Sequence, residues 1–165
     1  MAKKKQIVTN AMRHLQASKI DFEAVEYECD GEIGEDFGMK ISEKTGIPPE
    51  QSFKTLVARG AKNGIMVACI PVNCEVDLKK LAAAAGDKNV EMIHVKELLG
   101  LTGYIRGGVS PIGMKKKYPT YIDKSCMNFD KMAISAGICG CTLLIKPTDV
   151  IKECNAKVDD IVRKI

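Results

Sequence analysis

Two apolar runs of strand length, Phe53 to Arg59 and Ile65 to Ile70, stand either side of Gly60-Ala61-Lys62-Asn63-Gly64. An Asn-Gly pair readily takes the positive backbone φ of a tight hairpin turn, so this stretch predicts two antiparallel strands. Around it the pattern keeps changing period. Ile7, Ala11 and Leu15 recur every four residues and predict an amphipathic helix over 3–18. Phe22 to Tyr27 alternates as a half-buried strand does. Residues 30–36 are acidic and glycine-bearing, as in a loop, and a helix runs from Phe37 to Thr45 until Gly46 and the Pro48-Pro49 pair stop it.

Beyond the hairpin, Asp77 is placed to cap a helix through the alanine run 82–85, with Gly86 at its end. Val90 to Ile93 predicts a short strand and Val95 to Leu99 a short helix. Thr102 to Arg106, Pro119 to Asp123, Lys131 to Ser135 and Thr142 to Ile145 are further strand candidates. Thr148 is the expected N-cap of a helix over Asp149 to Cys154, and Val158 to Ile165 reads as a last helical turn or two. Helices at both ends with irregularly ordered strands between them predict an α/β or α+β domain with a mixed sheet, one domain over 1–165.

Composition narrows the function classes. At 165 residues, 45% hydrophobic and 28% charged, the chain is neither disordered nor membrane-spanning, since no apolar run approaches about 18–20 residues. The basic start lacks the apolar stretch of a signal peptide, which predicts a cytoplasmic protein. A net charge of +4 permits a nucleic-acid partner without demanding one. Seven scattered cysteines with no CxxC pair suit a reducing compartment, and Cys69 in its apolar run reads as a small core residue. Cys139 and Cys141 form a CxC pair. A metal site takes about four donors, and His14 and His94 lie far off in sequence, so no metal is expected.

Four segments carry possible chemistry. Lys54, at the start of an apolar strand, is either an edge lysine reaching for water or a fixed cation at a pocket mouth. The stretch Gly103-Tyr104-Ile105-Arg106-Gly107-Gly108-Val109-Ser110-Pro111-Ile112-Gly113 holds four glycines and a proline in eleven residues. It is an irregular loop or a loop built for close backbone approach to a ligand, and its spacing is not that of a nucleotide-binding loop. Ser135 to Cys141 is small and glycine-bearing. Tyr27 and Phe37 flank the acidic loop, as core aromatics or as the walls of a small pocket. Nothing local pairs a histidine with a serine or cysteine in a covalent triad.

Taken in order, these segments resemble the YbaK/EbsC family of trans-editing aminoacyl-tRNA deacylases, related to the inserted editing domain of prolyl-tRNA synthetases. The resemblance rests on Tyr27, Phe37-Gly38, Phe53-Lys54-Thr55-Leu56, Asp77-Leu78-Lys79-Lys80, Val90-Glu91-Met92, Thr102-Gly103-Tyr104, Gly107 to Gly113, Pro119-Thr120 with Ile122-Asp123, and Ser135-Ala136-Gly137. It implies a compact α/β domain with a mixed, barrel-like sheet surrounded by helices. It implies catalytic roles for Lys54, Gly107 and Ser135, and substrate contacts from Tyr27, Phe37, Thr55, Gly108, Ser110 and Thr142. The activity implied is hydrolysis of mischarged Cys-tRNA(Pro), and of Cys-tRNA(Cys), without a cofactor. Partners would be the tRNA acceptor end and prolyl-tRNA synthetase, with Lys115, Lys116 and Lys117 as candidate tRNA-docking residues. Many cysteine-specific members carry an acidic residue where this chain has Thr142, which leaves a deacylase for alanine or another small amino acid open. A non-catalytic RNA- or protein-binding module on the same fold, and a thiol-based redox or metal protein resting on Cys139 and Cys141, are the rival readings.

Overall fold

A computed structural model describes residues 8–30, 33–34 and 36–164. Residues 3–7 of the first predicted helix, and Gly31, Glu32 and Glu35 of the predicted loop, lie outside the described residues. The helix itself is α1, Asn10–Ala17. Thr9 caps it by accepting the Met12 N–H at 3.2 Å, and its apolar face, Ala11, Met12 and Leu15, is almost wholly buried. Burial of a side chain such as Leu15 is worth about 1.5–3 kcal/mol, enough to hold so short a helix against its own marginal propensity.

Strand β1 (Glu23–Glu26) leads to helix α2 (Phe37–Thr45), which ends at Gly46 in the left-handed conformation. The predicted hairpin is β2 (Phe53–Gly60) and β3 (Gly64–Pro71), paired antiparallel from Phe53↔Pro71 to Gly60↔Gly64. Gly64 takes φ +75° at the turn. A short strand β4 (Cys74–Val76) precedes helix α3 (Leu78–Ala85). Asp77 caps α3 by accepting the N–H groups of Lys79 and Lys80, each at 3.1 Å. Strand β5 (Val90–Met92), a 3₁₀ turn at Val95–Glu97 and helix α4 (Leu98–Thr102) come next. The rest is β6 (Thr120–Asp123), β7 (Met132–Ser135), β8 (Cys141–Ile145), helix α5 (Pro147–Cys154), β9 (Lys157–Asp159) and β10 (Val162–Lys164).

Among the described residues the strands form a five-stranded sheet in the order β5-β2-β3-β6-β9, a three-stranded sheet β1-β8-β7, and a ribbon β10-β4. The larger sheet is mixed, because β3, β6 and β9 run parallel while β5, β2 and β3 run antiparallel. A parallel bridge between Ser52 and Ala133 joins the two larger sheets at the start of β2. The result is an α+β domain whose sheets meet at β2 and do not close into one barrel. Alternation along β3 sends Val67 and Cys69 into a core with α1, β7, β8 and α5. Met66, Ala68 and Ile70 enter a second core with Leu81 and Ala82 of α3. No described helix is long and apolar enough to cross a membrane.

Three local expectations are corrected. Thr102 to Arg106 is not a strand: Thr102 closes α4, its hydroxyl donating to Leu98 O at 2.8 Å, and Gly103 at φ +84° turns the chain away. Helix α5 begins two residues earlier than Thr148 suggested, with Lys146 at the N-cap position and Pro147 at its first position. Val158 to Lys164 is extended rather than helical, and Ile165 lies outside the described residues. Asn155 ends α5 at φ +50°, β9 then pairs with β6 and β10 with β4, and Ile161 between them is fully buried.

Candidate active site

A cleft of about 970 Å³ runs along the first half of β2, where the two larger sheets meet. Lys54, Gly107, Ser135, Tyr27, Phe37, Thr55 and Thr142 all line it, brought there from six separate stretches of sequence. Gly108 and Ser110 stand outside the lining. Ser110 is fully buried, its hydroxyl accepting the Ile112 N–H at 3.2 Å, so it shapes the glycine loop from behind. Lys115, Lys116 and Lys117 are exposed beyond that loop, and Lys115 lines a separate, smaller hollow with Asn10, His14 and Tyr104.

Lys54 is the charged residue of the part of β2 that lines the cleft. The pleat places it on the same face as Leu56 and Ala58, which pack toward α3, and half-buries it. It has no hydrogen bond or ion pair among the described residues. Burial pulls its ammonium below the ordinary lysine value, and the charges of Glu75 and Cys74 push back. Glu75 lines the same cleft but is held by Arg163 from β10 at 2.7 Å. The cation is therefore partly desolvated and open to an anionic ligand, an environment in which a charge acts strongly.

The glycine loop reaches the cleft through a tight turn. Gly108 N–H donates to Ile105 O at 2.9 Å and Gly107 sits at φ +92°, a conformation that side-chain-bearing residues rarely adopt. Opposite it, β7 and β8 carry Ser135 and Thr142, directly cross-strand from one another. The Ser135 hydroxyl accepts the Gly137 N–H at 3.1 Å, and the Thr142 hydroxyl donates to Ile134 O at 2.8 Å. Thr142 is buried and already bonded within its own sheet. Tyr27, just beyond β1, is pinned by its N–H to Gly140 O at 2.9 Å, and burial pushes its phenol up. Thr55 lies within 3.8 Å of the buried Cys69 thiol.

Residues that the sequence did not single out complete the walls. Ile33, Val72, Met92, Ile93, Val95 and Leu98 give one part of the cleft an apolar surface, and Arg106 adds a second cation beside Gly107. Arg106 is exposed and has no ion pair among the described residues. A disulfide joins Cys29 to Cys139, whose Cα atoms are 5.7 Å apart. For these two residues alone it corrects the expectation of scattered, unpaired cysteines. It also removes Cys139 from any CxC metal pair, while Cys141 is buried in β8. Among the described residues no cluster of three or more histidine, cysteine or acidic side chains could hold a metal ion.

The geometry suits a small acyl group held between aromatic walls with a cation at the rim. The family model for the aminoacyl-tRNA editing domain matches residues 39–153. The chain belongs to that family. This editing domain is also 44% identical, over 99% of both chains, to EbsC of Enterococcus faecalis, whose name gives it Cys-tRNA(Pro)/Cys-tRNA(Cys) deacylation. It is 26% identical over 80% of its length, and 78% of the relative's, to the multifunctional Ser/Thr-tRNA deacylase ProXp-y of Escherichia coli. A solved structure described as that of a candidate trans-editing enzyme for prolyl tRNA synthetase shares the fold, with a TM-score of 0.79, 21% identity, and 96% of this chain and 99% of that one covered.

Proposed function

We propose that this editing domain acts in trans, in the cytoplasm, to hydrolyse the aminoacyl ester of mischarged Cys-tRNA(Pro). The observation that carries the reading is Lys54, half-buried and without an ion pair among the described residues, at the rim of a cleft walled by Tyr27, Phe37, Gly107 and Ser135. The likeness to EbsC over the whole chain supplies the substrate. A cleft of about 970 Å³ is large for one small amino acid. It matches the upper end of small-molecule pockets, about 300–1,000 Å³, and so has room for the terminal nucleoside as well.

An aminoacyl ester is already activated, so positioning and charge stabilisation supply much of the acceleration without a nucleophile of the protein's own. In a bound cysteinyl ester the substrate thiol attacks its own carbonyl carbon. The new C–S bond replaces the C–O bond to the ribose, the thiol proton passes to the departing ribose oxygen, and water then opens the thiolactone to free cysteine. Gly107, free of a side chain, lets the loop backbone approach the acyl group. Lys54 acts through its charge, on the acceptor-end phosphate or on the ester oxygen. Prolyl-tRNA synthetase is the partner that would choose the tRNA, since the cleft itself grips only the acceptor end.

Thr142 keeps a second specificity in view. Its hydroxyl, spent on Ile134 O, offers the substrate no negative charge, and a neutral small amino acid such as alanine fits such a wall. Single-turnover hydrolysis of Cys-tRNA(Pro) and Ala-tRNA(Pro) by wild type and Lys54→Ala decides. Cysteine release abolished by the substitution supports the reading. Preference for alanine moves the specificity, and hydrolysis of neither refutes the deacylase.

A further inference from the structure

The Cys29–Cys139 disulfide connects segments 110 residues apart, and each of them touches several walls of the cleft. On the Cys139 side, Gly140 O receives the Tyr27 N–H at 2.9 Å and Ala136 N–H donates to Cys141 O at 3.1 Å. The backbone of Ile138 and Cys139 lies so close to Gly108 that a methyl group there would stand 2.8 Å from Ile138 Cα. On the Cys29 side, Lys44 of α2 donates to Glu28 O at 2.7 Å and pairs with Asp30, which fastens the segment to the helix that carries Phe37. One covalent bond thus sits where the Tyr27 segment, the Phe37 helix, the glycine loop and the turn after Ser135 converge.

The pair also differs from the buried cysteines. Cys29 is exposed and Cys139 partly so. Cys69 and Cys126 are buried, and burial pushes their thiols up to about 12 and about 11. Buried thiols of that kind are inert, whereas an accessible pair exchanges with solutes.

We propose that Cys29 and Cys139 are positioning residues for the deacylase site, and that their thiol–disulfide state sets its rate, the oxidised form being the faster. This rests on the deacylase reading above. In the oxidising direction two thiols meet a peroxide: the S–S bond forms, the O–O bond breaks, and the two thiol protons leave with the oxygens as water. A dithiol reductant reverses the step, becoming a disulfide itself and returning both protons. In a reducing compartment the bond would form under peroxide and lapse afterwards.

The test compares the oxidised protein, the reduced protein and the Cys29→Ser/Cys139→Ser variant, without added thiol. The substrate is whichever of Cys-tRNA(Pro) and Ala-tRNA(Pro) the wild type hydrolyses, and mass spectrometry after alkylation verifies the redox state before and after. Misplacement of catalytic geometry by 1 Å costs up to about 10²-fold. The expected result is a single-turnover rate constant about 10-fold or more higher for the oxidised form, with a half-saturating concentration changed less than about twofold. Peroxide should restore the reduced wild type, and the variant should stay at the reduced rate throughout. Hydrogen exchange at the Tyr27 amide, slower in the oxidised form, reads the positioning without any substrate. Equal rates, a faster reduced form, or a variant that still responds to peroxide would overturn the proposal. Inactivity in both states beside redox-dependent Tyr27 exchange would sink the deacylase reading while leaving the positioning role. Inactivity with unchanged exchange would sink both.

Discussion

Gly108→Ala tests whether the two loops that meet at the cleft are held in register by contact alone. Gly108 has an ordinary φ, so the substitution adds no intrinsic backbone strain and its whole effect is steric. The new Cβ would lie 2.8 Å from Ile138 Cα, 2.9 Å from Ile138 C and 3.1 Å from Cys139 N. Carbon atoms rest at about 3.5–4.0 Å, so one loop has to retreat by roughly 0.7 Å or more. All three neighbours are backbone, and no side-chain rotation can relieve the overlap. Overpacking of this kind costs about 1–3 kcal/mol, and at about 2–4 °C per kcal/mol for a domain of this size the melting temperature should fall by about 2–12 °C. Gly107 is next in sequence and Ser135 four residues before Cys139, so the displacement reaches the site and the single-turnover rate should drop by about 10-fold to 10²-fold. Urea denaturation and single-turnover deacylation on the same preparation measure both. A variant within about 0.5 kcal/mol of wild type that deacylates at the normal rate would refute the argument.

Arg106→Ala should weaken tRNA binding and lower the slope of log affinity against log salt by about 0.7–0.9, the loss of one phosphate contact, with Arg106→Lys restoring the slope; filter binding across a salt series reads it. Asp77→Ala leaves the first N–H groups of α3 without their cap and should cost about 1 kcal/mol in urea denaturation. Asp87 accepts the N–H groups of Lys62 and Asn63 at the hairpin turn. Those bonds, that from Asn63 foremost, hold its carboxyl below the ordinary value of 3.8. A depressed carboxyl stabilises fully above the unfolded value and loses that contribution as the pH falls through the folded one. The stability gap between wild type and Asp87→Asn should therefore be constant near neutrality and shrink below about pH 4.

The features legible in the sequence were those with local causes. Asn63-Gly64 makes its turn, Asp77 its cap and Gly46 its helix stop from neighbouring residues alone, and each stands where the pattern placed it. Val158 to Ile165 went the other way because β9 and β10 are three residues each and owe their conformation to β6 and β4, far off in the chain. Pro147 at the first position of α5 was a readable start signal that outranked Thr148. The family resemblance drew Lys54, Gly107 and Ser135 together, and the fold places all three on one cleft. Spacing could not reveal the Cys29–Cys139 bond, since seven cysteines allow many pairings. Arg106 was passed over within a glycine-rich stretch, where its charge has meaning only once Gly107 is seen to face the cleft.

The pairing of β1 with β8 has a consequence for how the molecule comes into being. Glu23 to Glu26 finds its partners at Cys141 to Leu144, a contact of very high sequence separation. A growing polypeptide carries the Tyr27 segment without its neighbour until residues 141–144 have been synthesised. The central hairpin, by contrast, needs only residues 53–71 and can form early. Folding then proceeds from a scaffold that holds Lys54 to a late docking event that brings Tyr27 to the same cleft. Substitutions in β1 or β8 should accordingly speed unfolding more than they slow folding.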